Sequence, residues 1–246
     1  MKAVVLGASK GIGRAIARAL AEQGAELYLL GRDQVDLAQS AADLEQRGLA
    51  KRPVHVGLCD LESPAGFHAA IAEADRALSG VDTVVVTAGL FAAQDKLEND
   101  LVFTQRMLTV NFANTVVFCE HARQRLIANG GGTLCVVSSV AGERGRKPVV
   151  LYGASKAGLS AYLEGLDHKY HDVGLRVVTV KPGFVKTAMT EGLKPPPFAG
   201  EPEQVARDVL RAIKNSTPVL YTPRIWALVM FVIRLLPRFV MRKIGF

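Results

Sequence analysis

The chain predicts an α/β fold, a doubly wound parallel sheet of about seven strands with helices on both faces. Three observations carry this. Short β-type runs recur along the chain, segments of helical length separate them, and the first run leads directly into a glycine-rich turn followed by apolar residues at helical spacing. At 246 residues, with no Pro/Gly/Ser linker, the chain fits one domain, residues 1–246, whose last stretch, 222–246, is a basic and apolar segment.

In order, Ala3 to Leu6 is the first expected strand, and Gly7-Ala8-Ser9-Lys10-Gly11-Ile12-Gly13 follows it, with a helix from Arg14 to Gln23. In that context Gly7 permits a tight turn, Gly11 lets backbone approach a pyrophosphate, and Gly13 allows close helix packing, with the helix N-terminus facing the phosphates. Glu26 to Leu30 is the second strand, ending in Gly31-Arg32-Asp33. An acid at that tip binds free ribose hydroxyls; here Arg32 and Lys10 offer two cations to a 2′-phosphate, which favours NADP(H) over NAD(H), while Asp33 either opposes this or caps the next helix. Val54 to Leu58 and Thr83 to Val86 are the third and fourth strands, ending at Cys59-Asp60-Leu61 and Thr87-Ala88-Gly89. Asp60 either accepts from an adenine amino group or caps a helix. Ala88 and Gly89 leave a side-chain-poor surface.

Asn99 to Ala128 reads as a long helical pattern with Asn111 inside an apolar stretch, an amide that is satisfied structurally or functional. Leu134 to Val137, Val177 to Val180 and Val219 to Tyr221 complete the strands. Tyr152 and Lys156 stand four apart on an expected helix, Tyr152 to Asp172, so phenol and ammonium share a face. A nearby cation favours the phenolate, and such a tyrosine is a usable general acid/base. An ordinary surface pair has the same spacing.

Hydrophobic content of 49% supports a large core, and 22% charge is ordinary. Cys59, Cys119 and Cys135 are far apart within apolar runs, as reduced buried thiols are, and the first apolar run is too short for a signal peptide, so a cytoplasmic protein is expected. The net charge of +7 is dispersed and lacks an aromatic platform, which argues against nucleic acid.

Taken together, Gly7 to Gly13, Asp60, Ala88-Gly89, Asn111, Ser139, Tyr152 to Lys156 and Pro182-Gly183 to Thr187 resemble the short-chain dehydrogenase/reductases over nearly the whole chain. Leu6 and Thr87 depart from that pattern, which commonly has threonine and asparagine there. The resemblance implies a Rossmann-like sheet and a tetrad. Tyr152 exchanges the proton with the substrate oxygen, Lys156 holds the nicotinamide ribose and favours the tyrosinate, Ser139 bonds the substrate oxygen, and Asn111 fixes a relay water. Ser138 is the alternative serine; Ser139 has the family's spacing of thirteen to the tyrosine. It also implies cofactor contacts at Gly7, Ser9, Lys10, Gly11, Ile12, Gly13, Arg32, Asp60, Leu61, Ala88, Gly89, Tyr152, Lys156, Pro182, Gly183, Val185 and Thr187, no metal, and a homo-oligomer.

Two further stretches, Ala141 to Lys156 and Tyr221 to Phe246, are similar to the bacterial reductases that act on the keto-sugar of decaprenylphosphoryl-2-ketoribose. That resemblance implies a polyprenyl-phosphate keto-sugar as substrate, for which Arg144, Arg146 and Lys147 are candidate phosphodiester ligands or simply a solvated basic loop. The tail, Ile225 to Ile233 followed by Arg234, Pro237, Arg238, Arg242 and Lys243, is too short to span a bilayer, and as a helix it either lies at the inner face of a membrane, covers a lipid tail or packs against a subunit. Glu191 to Gly200, with Pro195-Pro196-Pro197, is expected to be a stiff loop over the substrate. The readings that compete with the keto-sugar reductase are a soluble reductase of 3-ketoacyl, steroid or xenobiotic carbonyls and a non-catalytic nucleotide-binding regulator.

Overall fold

In the computed structural model, residues 1–245 are described. Seven strands, β1 (Lys2–Leu6), β2 (Glu26–Gly31), β3 (His55–Leu58), β4 (Thr83–Val86), β5 (Gly132–Val137), β6 (Leu175–Pro182) and β7 (Val219–Thr222), form one sheet in the order β3-β2-β1-β4-β5-β6-β7. Every neighbouring pair is parallel.

Side chains alternate along the strands, so each strand feeds two cores. Val4, Leu6, Val84, Val86, Leu134 and Val136 face α3 (Phe67–Leu78), α6 (Thr115–Ala128) and α7 (Val150–Tyr170). Ala3, Val5, Val85, Cys135, Val178 and Val180 face the other layer, with α1 (Gly11–Glu22), α2 (Gln34–Gln46) and α8 (Pro202–Lys214). The three cysteines are buried free thiols, and burial pushes Cys59 and Cys135 up to about 12.

Because β2 and β4 flank β1, the direction in which strands are added to the sheet reverses between β1 and β4, and the loops leaving these two parallel strands border a crevice. Gly7, at φ +91°, turns out of β1 where a Cβ would stand 2.6 Å from Thr87 Oγ1 and 2.7 Å from the Ala88 nitrogen. Thr87 uses its hydroxyl to donate to the Leu6 carbonyl, 3.0 Å away. The threonine that departs from the family pattern thus ties β4 to β1 directly.

The helical pattern from Asn99 to Ala128 holds without a break from Leu101 onward, with a π turn inside it. After α4 (Gln94–Asn99), it runs through α5 (Leu101–Leu108), a π-helical turn at Thr109–Asn114 and α6. Asp100 restarts the helix by accepting from the Phe103 amide at 2.9 Å, and the π turn carries Asn111. The C-terminal segment divides into α9 (Ile225–Leu235) and α10 (Arg238–Lys243), because Pro237 lacks the amide to continue the ladder. Glu191 to Gly200 is a loop closed at its base, where Lys186 donates to Gly200 at 3.0 Å and Gly200 to Phe184 at 2.8 Å.

Candidate active site

Three segments converge beyond the carboxyl ends of β4 and β5. Strand β5 delivers Ser138 and Ser139, which then part ways. Ser138 points into the protein, where its hydroxyl lies 3.0 Å from the Lys156 carbonyl and 2.8 Å from Ser160 Oγ. Ser139 accepts from the Ala141 amide at 3.1 Å, and its side chain lies near enough to the Tyr152 phenol to oppose the rise in the phenol's pKa.

Helix α7 supplies Tyr152 and Lys156. Proline at 148 precedes it, and with no side-chain cap at Val149 the Leu151 amide donates to Gln94 Oε1 at 3.2 Å instead. The helix lies hard against the loop after β5, because a Cβ on Gly142 would meet the Lys156 backbone at 2.6 Å and one on Gly153 the Ala141 carbonyl at 2.8 Å. Lys156, 5% exposed, donates to the Val137 carbonyl at 3.0 Å.

The electrostatics differ from the expected tyrosinate. Burial raises Tyr152 to about 12 and outweighs the opposing effect of Ser139, while burial lowers Lys156 to about 8. The ammonium sits 5.9 Å from the Tyr152 ring centroid and is directed to Val137. At neutral pH the phenol therefore holds its proton. Phe91, from the loop after β4, packs edge-on to Tyr152 with centroids 5.0 Å apart. It has no local sequence signal; only the fold brings it there.

Asn111 is fully buried, and its amide is spent on one residue. Oδ1 accepts from the Leu90 amide and Nδ2 donates to the Leu90 carbonyl, each at 2.7 Å. The side chain thus pins the Ala88-Gly89-Leu90 loop. A Cβ on Gly89 would come within 3.2 Å of Asn111 Oδ1 and 3.8 Å of Lys156 Nζ, so this glycine keeps the floor open beside the lysine.

The nucleotide side fits a dinucleotide. Gly7 and Gly13 are required by packing, since a Cβ at Gly13 would lie 2.1 Å from the Gly7 carbonyl oxygen. Gly11, at φ +55°, meets only the Thr187 side chain at 3.4 Å or more, and α1 begins there without a side-chain cap. Its first amides are thus left for an anion. Ser9 and Ile12 lie half-buried in the same turn, and Val185 is buried behind Thr187. Thr187 caps the short turn Ala188–Thr190, beside an open depression of about 410 Å³ lined by Phe184, Lys186, Thr187, Thr190, Glu191 and Leu193.

At the tip of β2, Asp33 accepts from the Val35 and Asp36 amides at 2.9 and 3.0 Å, which makes it a helix cap. The two cations are both exposed but not both free. Lys10 pairs with Asp36 at 2.7 Å, and Arg32 lies 3.9 Å from Glu62, which Arg106 already holds at 2.6 Å. Asp60 accepts from the Glu62 amide at 3.0 Å, a local turn bond, and Leu61 is buried beneath it, its carbonyl taking 2.6 Å from Asn114.

Opposite Ser139, Pro182-Gly183 leaves β6 under the C-terminal segment. A Cβ on Gly183 would stand 2.0 Å from Trp226 Nε1, so the indole lies on that backbone. Met230 and Ile233 of α9 pack on Val140, and Glu143, in the loop after β5, binds both Lys181 and Arg234. In the basic loop, Arg144 donates to the Leu236 carbonyl at 2.9 Å, Arg146 is half-buried with its pKa lowered by desolvation, and Lys147 is exposed. Arg144 is thereby committed to the C-terminal segment.

The family profile described as short chain dehydrogenase matches residues 1–197. Among curated relatives, an "uncharacterized oxidoreductase" of Mycobacterium tuberculosis is 36% identical over 98% of this chain and 95% of its own. The Carbonyl reductase family member 4 of Xenopus laevis is 30% identical over 86% of this chain and 90% of its own. Among solved structures, a short-chain type dehydrogenase/reductase from Mycobacterium ulcerans aligns with a TM-score of 0.79 at 22% identity, over 89% of this chain and 87% of its own, a likeness of fold.

Proposed function

We propose, on the premise that this chain belongs to the short-chain dehydrogenase family and is an oxidoreductase using NAD(P)(H), that it reduces a substrate carbonyl at Tyr152, with NADP(H) preferred. The observation that carries this is Tyr152 and Lys156 together on α7 beside Ser139, with Lys156 buried and its ammonium 5.9 Å from the Tyr152 ring centroid. A nicotinamide held beside Tyr152 would supply, when bound, the hydride that a carbonyl reduction needs. Tyr152, a neutral phenol at pH 7, gives its proton to the carbonyl oxygen, so ketone becomes alcohol. Ser139 donates to the same oxygen and orients it. The Lys156 ammonium, desolvated and so poorly screened, lowers the cost of the tyrosinate this leaves. Asn111 positions the Ala88-Gly89-Leu90 loop through Leu90.

Gly7, Gly11 and Gly13 with the α1 amides would hold the pyrophosphate, Ala88 and Gly89 the ribose side, and Pro182, Gly183, Val185 and Thr187 the nicotinamide side. The NADP(H) preference rests on Gly31-Arg32 at the tip, where the adjacent acid, Asp33, is spent on capping α2 and a Cβ at Gly31 would press on Leu37 at 3.2 Å. For substrate we favour a keto-sugar on a polyprenyl phosphate, supported by the similarity of residues 141–156 and 221–246 to reductases of that class and by the apolar tail packed beside the loop after β5. The 30% identity to a carbonyl reductase favours a second reading, a soluble ketone. Turnover of NADPH with a prenyl-phosphate keto-sugar, against a panel of soluble ketones, separates the two. Tyr152→Phe is expected to lower turnover by at least a thousandfold while NADPH still raises the melting temperature; a variant keeping wild-type turnover overturns the mechanism.

A further inference from the structure

A helix on a protein surface normally turns a polar face to water. Helix α9 does not. Its inner face, Trp226, Met230 and Ile233, is packed on Gly183 and Val140. Its outer face carries Leu228, Phe231, Val232 and Leu235, at 61%, 54%, 51% and 68% exposure. These stand at i, i+3, i+4 and i+7 and therefore form one stripe. Ile225 heads the stripe and Phe239 of α10, 65% exposed, continues it past Pro237.

The stripe cannot be a displaced inner face, because Glu143 holds Arg234, and Arg144 holds the Leu236 carbonyl, which fixes the helix in its rotation. Its border is cationic. Arg224, Arg238, Arg242 and Lys243 are exposed and make no ion pair among the described residues, and residues 224–246 contain no acidic side chain.

We propose that the α9–α10 face docks on an anionic lipid bilayer, lying in the headgroup region with the Leu228–Phe231–Leu235 stripe inserted and the four cations against lipid phosphates. Among the described residues no helix is long and apolar enough to cross a membrane, which leaves the interfacial mode. Two features select this occupant over a second copy of the chain. A two-fold contact through this face would bring two unrelieved sets of four cations together, whereas an anionic leaflet complements them and attracts each one. This inference stands on α9 and α10 alone and is independent of the substrate reading.

The test is sedimentation of the full chain with phosphatidylcholine vesicles, with and without phosphatidylglycerol. The wild type is expected to partition onto the anionic vesicles at least tenfold more strongly than onto neutral ones and to be released by salt. Leu228→Glu/Phe231→Glu and, separately, Arg238→Gln/Arg242→Gln/Lys243→Gln are each expected to lose at least tenfold, with unchanged circular dichroism. If the glutamate variant fails to fold, the charge variant decides, since it alters only exposed side chains. A wild type that stays in the supernatant, or charge-variant binding equal to wild type, overturns the proposal. So does a stripe variant that halves the mass in light scattering while the wild type ignores vesicles, which would assign the face to a second copy.

Discussion

The Glu143 carboxylate and the Arg234 guanidinium stand 3.2 Å apart and join the loop after β5, which carries Ser139, to the helix that covers Gly183. The same carboxylate binds Lys181, and its side chain is only 5% exposed, so one buried charge is shared by two cations.

That sharing makes the partners unequal. Glu143→Ala leaves Lys181, 14% exposed, without its anion, and is expected to cost about 3–5 kcal/mol. Arg234→Ala removes a half-exposed partner and spares the Lys181 pair, so it is expected to cost under about 1 kcal/mol. Urea unfolding of both variants checks the ranking; equal losses would reject it.

Lys156 makes stability rise with alkaline pH. Its folded pKa is about 8 against an ordinary 10.5, so between these values the unfolded chain binds more protons than the folded one, and raising pH favours folding. The penalty is fully present below about 8 and fully relieved near 10.5, a change of about 3 kcal/mol. Tyr152 acts oppositely, since its raised value makes stability fall from its ordinary 10.0 toward about 12. Denaturant unfolding at pH 7 and 10 is expected to show the wild type gaining on Lys156→Met; a constant difference between them would contradict the depressed value.

Cofactor choice at the tip of β2 turns on three side chains. Arg32→Ala is expected to weaken NADPH about tenfold, the loss of one charge-assisted hydrogen bond, and to leave NADH unchanged. Asp36→Asn frees Lys10 from its 2.7 Å pair and is expected to tighten NADPH. Thermal shifts with each nucleotide measure both; an Arg32 variant that weakens NADH equally would remove the 2′-phosphate role.

Gly183 and Trp226 are expected to be coupled. The added methyl of Gly183→Ala overlaps the indole and is expected to cost about 1–3 kcal/mol by overpacking. In a Trp226→Ala background, where that space is empty, the same change is expected to cost under about 0.5 kcal/mol. Additive losses in the double-mutant cycle would show that the indole does not rest on this backbone in solution.

The strands were legible because a parallel sheet covered on both faces needs near-continuous apolar runs, as in Thr83–Val86, and their ends differ from expectation by a residue or two. The glycine turn was legible for the same local reason, since Gly7 at φ +91° is a backbone requirement written at one position. The helical run within Asn99 to Ala128 was legible too, but its π turn was not, because such a turn shifts the helical ladder by one residue and barely disturbs the apolar pattern.

The sequence by itself determined the sheet, the glycine turn and the shared face of Tyr152 and Lys156, because strand alternation, turn geometry and the 3.6-residue helical period are properties of neighbours along the chain. Tertiary structure alone decided which way the protons lean, what Asn111 holds and where the tail lies. Burial moves Tyr152 up and Lys156 down, Asn111 is committed to Leu90, and Trp226 rests on Gly183. Desolvation and hydrogen-bond satisfaction depend on what the whole fold brings around a group, and no window of sequence contains that surrounding.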